Sequence, residues 1–181
     1  VAPSRGLGDV YKRQVAIKAS EVEDDLLIID GQQRITTISL LILAAINAVA
    51  NGDMETGDED IEEVKKNYLY AIRRRIDRNI KLRPIEGDME AYDALFTNNS
   101  ENFIKNTGIT SNYELFYELI KVSGLTFQNL IAAIEKLEII DIRLESKDNP
   151  QLIFESLNSC GKDLEEADKA VSYTHLRAHE T

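Results

Sequence analysis

The spacing of apolar residues changes period several times along this chain, and each change predicts an element. Leu26-Leu27-Ile28-Ile29, following the acidic Glu21, Glu23, Asp24 and Asp25, is a short aliphatic run that reads as a buried strand, with Val15 to Ala19 as a shorter one before it. The chain then turns at Asp30-Gly31. From about Gln33 to Ala50 the aliphatic residues fall on nearly every side, which predicts a core helix stopped by Asn51-Gly52. After the acidic loop Asp53 to Asp60, residues Ile61, Val64, Tyr68, Leu69, Ile72 and Ile76 recur at helical spacing behind Asp60 as cap.

Further on, Pro84 interrupts a short extended piece at Lys81 to Ile85, a helix is predicted around Met89 to Phe96, and Thr97 to Asn112 reads mostly as loop. Ser111 and Glu114 have capping-box spacing ahead of Tyr113, Phe116, Leu119 and Ile120, and another helix is predicted from about Phe127 to Leu137. Glu138 to Glu145 alternates apolar and polar residues as a half-exposed strand does. Asn149-Pro150 opens a helix carrying Phe154 and Leu157 that stops near Gly161, and Asp163 and Glu166 are spaced to cap one more. Few strands among many helices, without internal repeats, make the expected class α+β.

The two ends change this picture. Ser4 to Gln14 resembles the translation of a sequencing adapter, and Val171 to Thr181 resembles its reverse complement read in frame. Residues 1–14 and 171–181 are therefore expected to be adapter-derived and not native. That leaves 15–170 as one domain of a longer protein, truncated at both ends. Both histidines, His175 and His179, fall in the second of these segments, so residues 15–170 offer no imidazole for a triad, a zinc site or a proton relay.

Removing Arg5, Lys12, Arg13 and Arg177 from 21 basic residues, and Asp9 and Glu180 from 32 acidic ones, leaves a net charge of about −13. Such acidity argues against this domain alone wrapping a nucleic-acid backbone, so DNA contact is expected through parts of the protein outside it. The single Cys160 has no internal disulfide partner, and no signal-peptide pattern is visible, so a reducing cytoplasm is the simplest location. The longest uninterrupted apolar run, Leu40 to Ile46, is too short to span a bilayer, and no membrane partner is expected.

The sharpest chemical feature is Ile28-Ile29-Asp30-Gly31-Gln32-Gln33-Arg34-Ile35-Thr36-Thr37, a strand entering a helix through a glycine turn. Such turns suit anions, because helix-start amides and the helix dipole favour negative charge and glycine lets the backbone approach. Arg34 adds a guanidinium fork matched to phosphate, Thr36 and Thr37 are hydroxyl donors, and Asp30 is a ligand for a metal ion or an orienter of water. Read without any family, the same residues also make an ordinary capped turn with solvated Gln32, Gln33 and Arg34. About 120 residues further on comes Phe154-Glu155-Ser156-Leu157-Asn158-Ser159-Cys160-Gly161-Lys162-Asp163-Leu164, continuing to Asp168. There Asn158 ends a helix, Gly161 permits a turn and Lys162 is a second phosphate ligand. The plainer reading is a helix-turn-helix join.

The Asp-Gly-Gln-Gln-Arg string with its Thr-Thr pair, and the second block at matching order and spacing, resemble the amino-terminal domain of GmrSD-type restriction endonucleases. The resemblance implies a ParB/sulfiredoxin-like fold: a small sheet with a strand-turn-helix phosphate motif and a mostly helical remainder. It implies binding and hydrolysis of a nucleoside triphosphate with a divalent cation, Mg being the expected one, in a type IV, modification-dependent DNA restriction system that serves phage defence. Asp30, Gln33 and Arg34 are then the catalytic candidates. Gly31, Gln32, Arg34, Thr36, Thr37, Asn158, Gly161 and Lys162 are the nucleotide-binding ones. Cutting resides in a carboxyl-terminal HNH-type nuclease domain that is absent here.

Two departures from the family pattern matter. The Tyr-Gln-Arg signature of its opening segment is missing, which leaves part of the expected pocket unaccounted for. A glutamine stands where sulfiredoxins carry their catalytic cysteine, which argues against peroxiredoxin repair; Cys160 reads as packing. The basic cluster Arg73, Arg74, Arg75, Arg78, Lys81 and Arg83 is either a contact for DNA or a nucleotide, or a solvated face offsetting the acidic loop. Three functional readings stay open: a triphosphatase, a ParB-like nucleotide- or DNA-binding switch without significant turnover, and an interaction domain that binds neither ligand.

Overall fold

The structure, a computed structural model, describes residues 12–18, 26–71, 80–137, 139–144, 149 and 152. It divides into a unit formed by residues 1–32 and 138–181 and a helical unit, 33–137, inserted in sequence between them.

The first unit holds a three-stranded sheet of β1 (Lys12–Lys18), β2 (Leu26–Asp30) and β3 (Ile139–Leu144), in the order β2-β1-β3. β1 pairs antiparallel with β2, with Ala16 opposite Ile28 and Lys18 opposite Leu26, and a bulge between Val15 and Ala16. It pairs parallel with β3, from Lys12 opposite Ile139 to Ile17 opposite Leu144. Three of the residues expected to be adapter-derived, Lys12, Arg13 and Gln14, thus lie within β1, which begins earlier than its apolar pattern predicts. β2 occupies the stretch expected but is not buried: Leu26 and Leu27 are 39% and 37% exposed. Composition alone places an aliphatic run in a sheet's interior, whereas among the described residues the strand order puts this one at an edge.

The helical unit is built around α1 (Gln32–Ala50). By length and mean hydropathy, 1.5, this helix is long and apolar enough to cross a membrane. Its second half is the centre of a core: Leu40, Ile42, Leu43, Ala44, Ala45 and Ala48 are nearly inaccessible. Around them pack Val64 and Leu69, Tyr92 and Leu95 of α3 (Glu86–Leu95), Tyr113 and Ile120 of α4 (Gly108–Ser123), and Phe127 and Ile131 of α5 (Phe127–Ile134). A helix apolar all round is stable only when neighbours cover it on every side. The one buried amide in the run, Asn47, donates from Nδ2 to the Leu95 carbonyl at 3.3 Å and to the Tyr113 hydroxyl at 2.8 Å. It thereby ties α1 to α3 and α4 without leaving a polar group unsatisfied.

α1 ends as its sequence indicates. Gly52 stands at φ 81°, its N–H reaches the Val49 carbonyl at 3.0 Å, and the Asp53 N–H reaches that of Ala48 at 2.8 Å. This is the Schellman pattern of bonds, which needs a left-handed residue after the helix.

Two predicted helices differ from the observed ones. Asp60 does cap α2 (Ile61–Val64), accepting from the amides of Glu62 and Glu63 at 2.9 and 3.3 Å. The segment then widens into a π-turn over Lys65–Leu69; Ile72 and Ile76, where the helical period was expected to continue, lie outside the described residues. Tyr70 turns extended, bridges Ile80 and sets its ring edge-on to Phe96, centroids 5.7 Å apart. A tertiary partner overrides the local period.

α4 begins three residues before the predicted Ser111 cap. Thr107 is the cap, its Oγ1 accepting from the Thr110 amide at 3.1 Å. The capping-box spacing of Ser111 and Glu114 is a coincidence within an established helix. Asn149 Oδ1 accepts from the Leu152 amide at 3.3 Å, as the predicted cap there requires.

Candidate functional site

The turn between β2 and α1 carries most of the predicted chemistry. Gly31 adopts φ 92°, a conformation that costs a residue with a Cβ about 1–2 kcal/mol, so glycine is what lets the strand pass directly into a helix. The first turn of α1 contains Gln32, Gln33 and Arg34 and no acidic residue, leaving the positive end of the helix dipole without a carboxylate inside the helix to neutralise it. Asp30, at the end of β2, is half-buried.

Along α1, Gln33 and Thr37 are exposed and four residues apart, hence one above the other on the same face, whereas Arg34 and Thr36 are half-buried. Gln32 Nε2 donates to the Ile28 carbonyl at 2.6 Å. The side chain therefore clips the helix start to the end of its own strand, a positioning task that its predicted role as a nucleotide ligand did not anticipate. The boundary between the two units falls inside the motif, Asp30 to Gln32 belonging to the first and Gln33 to Thr37 to the second.

The second block, including Asn158, Gly161 and Lys162, lies outside the described residues, as do Cys160 and Arg73, Arg74, Arg75 and Arg78 of the basic cluster. Of that cluster's described members, Arg83 is exposed and Lys81 donates to the Asn67 carbonyl at 2.7 Å, which is a local structural bond. Among the described residues no group of three or more His, Cys, Asp or Glu side chains is arranged to hold a metal ion. The motif itself contributes one carboxylate, the half-buried Asp30.

At the other end of α1 lies a concavity that no spacing of residues along the chain announces. It has a volume of about 370 Å³ and is lined by Asn51, Asp53, Asn98, Tyr113, Tyr117 and Lys121, with four further residues. Tyr117 donates to Asp53 Oδ2 at 2.7 Å and accepts from Asn51 Nδ2 at 2.8 Å, while Asn98 Nδ2 donates to Asn51 Oδ1 at 2.9 Å. Loss of solvation, opposed by the Asn51 bond and reinforced by the Asp53 carboxylate, holds the Tyr117 phenol above its ordinary pKa. Burial does the same to Tyr113 against the opposing bond from Asn47. The sequence signal was Asn51-Gly52-Asp53, which reads as a helix stop and nothing more.

A family model described as the GmrSD restriction endonuclease, N-terminal domain, matches residues 9–174, nearly the whole chain. The match includes both the strand-turn-helix motif and the second block. The chain belongs to the GmrSD restriction endonuclease N-terminal domain family. It is accordingly a component of a restriction system. No curated protein and no solved structure matches it.

Proposed function

We propose that this domain binds and hydrolyses a nucleoside triphosphate, and that the β2–α1 turn is where the phosphates sit. The observation that carries the reading is Gly31 at φ 92°, leading into a helix whose first turn holds Arg34 and no acid. In this reading the helix dipole and the Gly31 turn receive the phosphate chain. Arg34 neutralises charge that develops on transfer, Thr36 and Thr37 donate hydroxyl bonds, and Gln33, on the exposed face, orients the attacking water. Asp30 would hold a divalent cation, Mg in the first instance, whose chemistry is to offset phosphate charge. The family resemblance adds Asn158, Gly161 and Lys162 as nucleotide-binding candidates, outside the described residues.

The surrounding proposals follow from the family. The small mixed sheet is read as the core of a ParB/sulfiredoxin-like α+β fold, and the system as type IV and cytoplasmic. DNA is met through other parts of the protein, with an HNH-type nuclease domain doing the cutting.

The test is triphosphate hydrolysis by the complete protein carrying this domain, with and without modified DNA, alongside Asp30→Ala and Arg34→Ala. Removing a group that stabilises charge in the transition state lowers turnover by about 10²–10³-fold, and that loss with retained ellipticity is the expected result. Nucleotide binding without turnover in the unmutated protein would convert the site into a switch. Neither binding nor turnover would sink the reading.

A further inference from the structure

The concavity at the carboxyl-terminal end of α1 has a chemistry opposite to that of the β2–α1 turn. Its lining carries three carboxylates, Asp53, Glu114 and Glu118, against one ammonium, Lys121. It opens beside the negative end of the α1 dipole, whose last turn holds no basic residue. Its walls also include aromatic rings: Phe103 packs edge-on to Tyr113 with centroids 5.4 Å apart, and Tyr113 lies 6.1 Å from Tyr117.

Carboxylates beside ring faces are the arrangement that accepts organic cations, since a ring's negative face attracts an ammonium or guanidinium held over it. The protein places a cation of its own in this manner. Lys121 Nζ stands 5.9 Å from the centre of the Tyr117 ring and 3.8 Å from Glu118 Oε1. The ring it covers is held by the hydrogen bonds from Asn51 and to Asp53, so the aromatic platform is fixed before any ligand arrives. A volume of about 370 Å³ lies within the range of small-molecule sites, roughly 300–1,000 Å³.

We propose that this concavity is a binding site for a small organic cation, an alkyl ammonium or guanidinium, seated over Tyr117 between Asp53 and Glu118. Lys121 is its internal competitor. The proposal is independent of the nucleotide reading, because every residue it uses lies within 33–137 and none belongs to the β2–α1 motif.

Two probes separate the sources of such a cation: spermidine for a free polyamine, and N-acetyl-arginine amide for a basic side chain of a partner. Binding to the whole chain is measured by titration calorimetry at fixed ionic strength. Tyr117→Leu keeps the charge and removes the ring, and should weaken binding about fivefold. Glu118→Gln, on the exposed face of α4, should weaken it severalfold. Glu90→Gln removes the same charge from an exposed position outside the lining and should leave it unchanged. Lys121→Met should tighten binding, a gain that loss of folding cannot imitate.

Preference for spermidine supports the site with a free polyamine as ligand, and preference for the arginine amide supports it with a partner side chain. The proposal is overturned if neither probe binds, or if the variants within the cleft shift affinity no more than Glu90→Gln does.

Discussion

The two ends of α1 are joined by nineteen residues of one helix, about 28 Å at 1.5 Å per residue, and they are built alike and charged oppositely. Each has a glycine in a left-handed conformation, Gly31 at φ 92° and Gly52 at φ 81°. At the first end the glycine admits the chain to the helix beside Arg34, at the dipole's positive pole. At the second it releases the chain into Asp53, at the negative pole, facing Glu114 and Glu118 across a cleft. The helix end sets the sign of the field; Arg34 at the first end and the three carboxylates at the second share that sign, against one opposing charge beside each end, Asp30 and Lys121. A surface helix is usually protected by the reverse choice, acids at its start and bases at its end. α1 has neither acidic residues in its first turn nor basic ones in its last.

The largest effect is expected where the ends are joined. Leu43 is 3% exposed in the middle of the core, and Leu43→Ala should cost about 2–5 kcal/mol through lost burial and the cavity left behind, read from urea unfolding by ellipticity. If nucleotide binding survives at full strength in a variant whose helical unit has melted, the two ends do not depend on one helix and the comparison fails.

A smaller pair of substitutions separates the ends. Gly31→Ala and Gly52→Ala each force a Cβ into a left-handed residue, at about 1–2 kcal/mol. Around Gly52 no atom would touch the new methyl group, so its cost is backbone strain alone. Gly31→Ala should weaken nucleotide binding and spare the cation site, and Gly52→Ala should do the opposite. Equal losses of both ligands in both variants would show global destabilisation and erase the distinction.

The smallest effect concerns pH at the cleft end. Tyr113 and Tyr117 have folded-state pKa values above the ordinary 10.0, burial being the main cause for both. A phenol raised in this way contributes stability that is complete below about pH 10 and is lost as pH rises toward its folded value, because the unfolded chain ionises first. Stability should therefore fall above pH 10. Ultraviolet titration of phenolate should show three late components, of which two disappear in Tyr113→Phe and Tyr117→Phe and the third, from Tyr68, stays. Simultaneous ionisation of all tyrosines near pH 10 in the folded state would contradict it.

How far each end was legible follows from how local it is. The first end is written in consecutive residues: aliphatic strand, Asp-Gly turn, then Gln-Gln-Arg and Thr-Thr on a helix start, so the change of element and the glycine turn were readable. The helix stop at Asn51-Gly52 was readable for the same reason. The cleft was not, because its ring platform joins Asn51 and Asp53 to Asn98 and Tyr117, about 45 to 65 residues away, and nothing in the spacing of those residues announces that they meet. The errors have the same origin. The helical period from Ile61 breaks at Tyr70, which turns to a bridge with Ile80, and Ser111 with Glu114 imitates a cap that Thr107 supplies.

By itself the sequence determined which segments can bury a helix or form a strand, where glycine must turn the backbone, and the strand-turn-helix motif that marks the family, since these depend on neighbours within one or two turns. Only the tertiary structure decided that β2 is an edge strand, that Gln32 is spent on its own strand, that Asn47 is satisfied by α3 and α4, and that the far end of α1 faces three carboxylates. Those outcomes depend on which distant groups are brought within hydrogen-bonding or van der Waals range, and forces of that reach leave no period in the chain.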